Sequence, residues 1–116
     1  MGIDFTHCDA HWSYSGFNEF RRRLASDRGF DLDKMYGFGG TRQWADVRDK
    51  AGDIEPLLNH SDCDGELGPD ECSRVAKALR AAVSTWSDDD YDKKNALELA
   101  EGMDNAAASR QHLLFQ

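Results

Sequence analysis

From Pro69 to Trp86 the apolar residues Cys72, Val75, Ala76, Leu79, Ala82 or Val83, and Trp86 recur three and four positions apart. That spacing draws one stripe along a 3.6-residue helix, and a stripe of this kind is stable only when another element covers it. Pro69 suits the first turn, because its missing N–H would have had no partner there. Ser87-Asp88-Asp89-Asp90 ends this helix and caps the next, Tyr91 to about Ser109, whose Leu99, Met103 and Ala106 share one side. Upstream, Ser13 or Ser15 caps a helix to about Arg28 with Phe17, Phe20 and Leu24 on one face, and Gly29 stops it. Asp31 caps a short piece, Leu32 to Tyr36, which Gly37-Phe38-Gly39-Gly40 breaks. Thr41 begins another turn or two through Trp44 and Val47, and Asp53 begins the brief helix Ile54 to Leu58. Gly2 to His7 alternates apolar and polar and reads as a strand. The apolar tail His112 to Gln116 would pair with it. The expectation is a single mainly α domain over residues 1–116, with four or five helices and a small two-stranded sheet joining the termini.

At 116 residues the chain is long enough for one core without covalent staples. Its formal net charge of −8 argues against binding a nucleic-acid polymer, which needs surplus Lys and Arg. A cation, a basic partner or a small anion in a locally basic pocket remain. No apolar run approaches the roughly 18 residues needed to span a bilayer, so no membrane partner is expected. Met1-Gly2-Ile3-Asp4-Phe5-Thr6 fits the myristoylation pattern, but no polybasic anchor follows. Cys8, Cys63 and Cys72 are odd in number and lack CxxC spacing, which suits a reducing cytoplasm.

The segment Leu57 to Leu79 holds the most specific pattern. With Gly65 at the sixth position of a calcium loop, Asp62 falls at three, Asp64 at five, Glu66 at seven, Leu67 at eight and Glu71 at twelve. Hard cations want several oxygens around one point, and this spacing wraps them there; the segment resembles an EF-hand. His60 stands where the first carboxylate belongs, and imidazole is a poor calcium ligand. Calcium is thus the one cofactor the pattern suggests, with Asp62, Asp64, Glu66 and Glu71 as ligands. The alternative is that Asp62 and Asp64 form turn hydrogen bonds and Gly68-Pro69 launches the helix.

Two further clusters carry chemistry. His7, Asp9 and His11 alternate, so on an extended strand they would face one way and could join His60 and Asp62 around a transition metal for hydrolysis. Trp12, Tyr14 and Phe17 precede Arg21-Arg22-Arg23, and Gly39-Gly40-Thr41-Arg42 leads to Trp44. Arginine grips phosphate and aromatic faces stack on bases. Trp12, Tyr14, Arg22, Arg23, Arg42, Trp44 and His60 are therefore the candidate ligand-binding residues, for a nucleotide-type anion. No nucleophile–base constellation supports catalysis.

The combination of "GIDFTH", "MYGFGG" with a following Trp, and "LLNHSDCDGEL" resembles a group of small soluble proteins of bacteria and their phages. That resemblance transfers no functional residue. It implies a compact, non-enzymatic binding protein, viral in origin, that sequesters a nucleotide-type signal; an acidic inhibitor of a host protein is the alternative. A homo-oligomer would give so small a chain a deeper pocket.

Overall fold

The computed structural model describes residues 2–60 and 65–116. Helix α1, Tyr14–Asp27, starts where Ser13 accepts the Gly16 N–H on its side-chain oxygen at 3.0 Å, so Ser13 rather than Ser15 is the cap. Its stripe buries Phe17, Phe20 and Leu24 completely. Gly29, at φ +89°, turns the chain back after Arg28. A 3-10 turn at Leu32–Lys34 follows, then a second at Trp44–Val47. These lead into the short helices α2 (Arg48–Ala51) and α3 (Glu55–Leu58), whose inward residues Ala51, Leu57 and Leu58 are fully buried. Helices α4, Pro69–Val83, and α5, Tyr91–Ala108, form an antiparallel hairpin and cover each other's stripes. The mainly α expectation holds.

The strands are shorter than the alternation suggested. β1 (Ile3–Asp4) pairs antiparallel with β2 (His11–Trp12), Ile3 opposite Trp12. β3 (Gly65–Leu67) pairs antiparallel with β4 (Leu113–Phe115), Leu67 opposite Leu113. The termini meet where these ribbons touch: Phe5 lies antiparallel to Phe115, and the Gln116 N–H donates to the Asp4 carbonyl at 2.8 Å. Each terminal strand thus takes a second partner from inside the chain, which satisfies backbone groups on both of its edges.

One polar joint fixes α1 to the α4–α5 turn. Asp90 caps α5 by accepting from the N–H groups of Asp92 and Lys93. The Arg23 guanidinium reaches Asp90 at 2.7 Å and lies 3.5 Å above the Trp86 ring. Trp12 and Trp86 donate their indole N–H groups to Asp92 and Asp27. The hydrogen bond from Arg23 holds the Asp90 carboxyl below the ordinary aspartate range. A folded pKa below the unfolded one stabilises the protein above the unfolded value, about 3.9, and the benefit is lost as pH falls through the folded value. Asp90→Asn keeps a capping oxygen but not the charge. It should lower the melting temperature by a few degrees at pH 7, with the gap to wild type closing below about pH 4. A gap that stays constant on acidification would show that the ion pair contributes nothing.

Candidate functional site

Helix α1, the Gly37-Phe38 loop and the Asn59-His60 turn enclose a cleft of about 480 Å³. Its floor is Arg21, which is 1% exposed although it is an arginine. Arg21 sits four residues after Phe17 and three before Leu24, so it lies on the buried stripe of α1. Its guanidinium packs 4.7 Å from the Phe17 ring and 5.3 Å from the Phe38 ring. It donates to the carbonyls of Leu58 and His60 and to the Asn18 side chain. Arginine is weakly hydrated and planar, which suits it to such a position better than lysine. Arg22 forms one wall; its Nε donates to Asp33 at 2.8 Å and its Nη1 to Glu19 at 2.6 Å. The Asp33 bond pushes the Arg22 pKa above its ordinary value.

The opposite wall is set by His60. Its ring stacks on Phe115 at 3.9 Å, and its Nε2 lies 3.4 Å from the Glu66 carbonyl oxygen. Gly65 passes beneath the ring at φ +109°, and a Cβ there would come within 2.7 Å of the imidazole. His60 therefore occupies the space a side chain at 65 would need. Asp62, Cys63 and Asp64 lie outside the described residues.

The other sequence-predicted residues divide sharply. Trp12 is 2% exposed and stacks on Phe20 at 4.7 Å, so it is core and presents no face to a base. Tyr14 is half-buried against the same core. Arg23 is absorbed by Asp90 and Trp86 as described. Trp44 is nearly buried, with its N–H donated to the Tyr36 carbonyl and its ring edge-on to Phe30 and Phe38. Arg42 is exposed and lines a neighbouring hollow with Gly39, Gly40 and Thr41 rather than the cleft. Of the seven, only Arg22 and His60 line the cleft. Residues the sequence reading passed over complete it: Asn18, Arg21 and Asn59, with Phe38. Only Arg21 carried a signal, as the one charge on an apolar stripe.

The metal readings fare differently. Glu66 meets His112 at 3.2 Å, while Glu71 accepts the Gly68 N–H at 3.1 Å and so satisfies the N-cap backbone donor of α4. His7 does not share a face with His11, because residue 7 turns to φ +71° and the segment is not extended. The His7 nitrogens are taken by Thr6 and Gln111, and His11 Nδ1 by Asp4. Among the described residues no three His, Cys, Asp or Glu side chains are grouped to hold a metal.

No family model, no curated protein and no solved structure matches this chain.

The contact between His60 and Gly65 can be weighed directly. Gly29 and Gly65 both adopt positive φ, but nothing lies within 4 Å of a Cβ built on Gly29. Gly29→Ala should cost about 1–2 kcal/mol from backbone strain alone, and Gly65→Ala at least about 1 kcal/mol more from the clash. Equal costs in urea unfolding would mean that the imidazole moves aside freely.

Proposed function

We propose that the protein is a small non-enzymatic binding protein that takes a nucleotide-type anion in the cleft between α1, Gly37-Phe38 and Asn59-His60. The observation that carries this reading is the accessible Arg22 guanidinium and the half-buried Phe38 ring lining one cleft above the buried charge of Arg21. Together they offer charge and a planar apolar face within one concave surface of ligand-pocket size. Arg22 adds donors, since its two ion pairs use two of a guanidinium's five N–H groups. Asn18, Asn59 and His60 supply the polar edge that a base or ribose needs. Cys8 and Cys72 are free thiols, and burial pushes both pKa values up, the opposite of nucleophile activation. Free thiols also suit a reducing, cytoplasmic setting.

Calorimetry against linear and cyclic nucleotides should give heat with at least one, and Arg22→Ala should weaken that binding about tenfold, or roughly 1.4 kcal/mol. No heat from any member of the panel would end the reading.

A second reading is a calcium-stabilised loop, favoured by Gly65 at positive φ, Leu67 buried in β3 and Glu71 in the first turn of α4. It predicts a melting temperature that rises with millimolar calcium, by an increment that vanishes in Asp64→Asn or Glu71→Gln. A melt indifferent to calcium removes it.

A further inference from the structure

The Lys34–Arg42 turn lies beside the proposed cleft and shares Asp33 with it as a wall. Its backbone is tied tightly. The Arg42 N–H donates to the Lys34 carbonyl at 3.0 Å, and the Tyr36 N–H to the Arg42 carbonyl at 2.8 Å. Gly40 makes the crossing feasible, because a Cβ there would stand 2.0 Å from the Lys34 carbonyl oxygen. These bonds fix two cationic residues as neighbours around a second concavity of about 390 Å³, lined by Lys34, Gly39, Gly40, Thr41 and Arg42 as well as Asp33.

Around α1 and the α4–α5 hairpin several cations carry carboxylates: Arg22 on Glu19 and Asp33, Arg23 on Asp90, Arg80 on Asp104, Lys93 on Asp88. Among the described residues, neither Lys34 nor Arg42 has an ion pair or a side-chain hydrogen bond. Asp33, the acid within the concavity, is turned to Arg22. Two cationic residues thus line one hollow with a single carboxylate, and that carboxylate is already engaged by Arg22. An ammonium, a guanidinium and the Thr41 hydroxyl around one hollow match the several acceptor oxygens of a phosphoryl group better than the two of a carboxylate. Tyr36 is 65% exposed and its backbone N–H is bonded to the Arg42 carbonyl.

We infer that Lys34, Thr41 and Arg42 form a phosphoryl-binding site distinct from the cleft floor. Where the cleft reading also holds, a ligand carrying a phosphate chain spans the two concavities across Asp33, which makes a nucleoside di- or triphosphate the fitting class rather than a monophosphate.

The test is calorimetry with inorganic tripolyphosphate and with nucleoside mono- and triphosphates. The proteins compared are wild type, Lys34→Ala/Arg42→Ala and a charge-matched control, Lys77→Ala/Arg110→Ala, with circular dichroism to confirm folding. Tripolyphosphate should bind wild type and the control alike and weaken at least about tenfold in the Lys34/Arg42 double variant. Where nucleotides bind, the triphosphate should exceed the monophosphate by a factor that disappears in that variant. Tripolyphosphate bound without nucleotide heat sinks the cleft reading and leaves this site standing. No tripolyphosphate binding, or equal weakening in the control, overturns the site. Retention on vesicles of phosphatidylcholine with phosphatidic acid, lost in the Lys34/Arg42 variant, assigns the phosphoryl group to a lipid headgroup; heat with soluble nucleotides alone assigns it to them.

Discussion

The structure depends on a cluster of aromatic rings that closes the chain on itself. Phe5 packs edge-on against Trp12, Phe17 and Phe115, and Trp12 stacks on Phe20, which meets Trp86. These rings come from the N-terminal segment, β2, α1, the α4–α5 turn and β4. Buried aromatics bring large apolar areas, and edge-to-face pairs add about 0.5–1.5 kcal/mol each beyond area. Strands of two and three residues have little stability of their own, so here the core holds the sheets in place rather than the reverse. The same cluster explains why Trp12 is unavailable to a ligand: its ring is needed where the termini meet.

Much of the fold is legible in the sequence because the helices rest on local signals. The Pro69–Trp86 stripe, the Ser13 cap, the Gly29 stop and the acidic cap before α5 each act within a few residues. β2 and β3 were hidden for the complementary reason. His11–Trp12 and Gly65–Leu67 are too short for a period of two to show, and their partners lie elsewhere in the chain. The site was legible in its segments and less so in its residues. Residues of α1 and His60 share a cleft, whereas Gly39 to Trp44 lies outside it, and aromatic residues near arginines cannot be sorted into core and surface without the helix phase. Phase puts Arg21 inside with Phe17 and Leu24, and Arg22 and Arg23 on the flanks, where carboxylates reach them.

Charge is distributed with a purpose that composition conceals. Most acids near α1 are placed as partners: Asp33 and Glu19 for Arg22, Asp90 and Asp92 for Arg23. Exposed pairs of this kind contribute little stability, about 0–1 kcal/mol apiece, but they fix orientation and remove cationic charge from the surface. Arg23, which looked from the sequence like a phosphate grip, is thereby largely absorbed, while Arg22 commits two of its five N–H groups to its partners. Beside the cleft, Lys34 and Arg42 add positive charge that, among the described residues, is tied to no carboxylate.

The cleft is coupled to the core through one short path. Phe115, in the last strand, stacks on His60; the His60 carbonyl accepts from Arg21; and Arg21 lies between Phe17 and Phe38. A ligand contacting His60 or Phe38 thus touches side chains whose other faces rest on the ring cluster. Close-packed interiors resist small displacements, so such a surface is largely formed before anything binds and little ordering free energy is spent on binding. The glycine loop shares part of this packing. Between Gly37 and Gly39, at φ +91° and +97°, Phe38 packs on Arg21 and Trp44, and the Trp44 indole N–H holds the Tyr36 carbonyl, while the exposed Thr41 and Arg42 side chains make no such contact among the described residues. Because Phe38 belongs both to this loop and to the cleft wall, the packing that forms the floor also fixes where the loop's exposed side chains stand beside it.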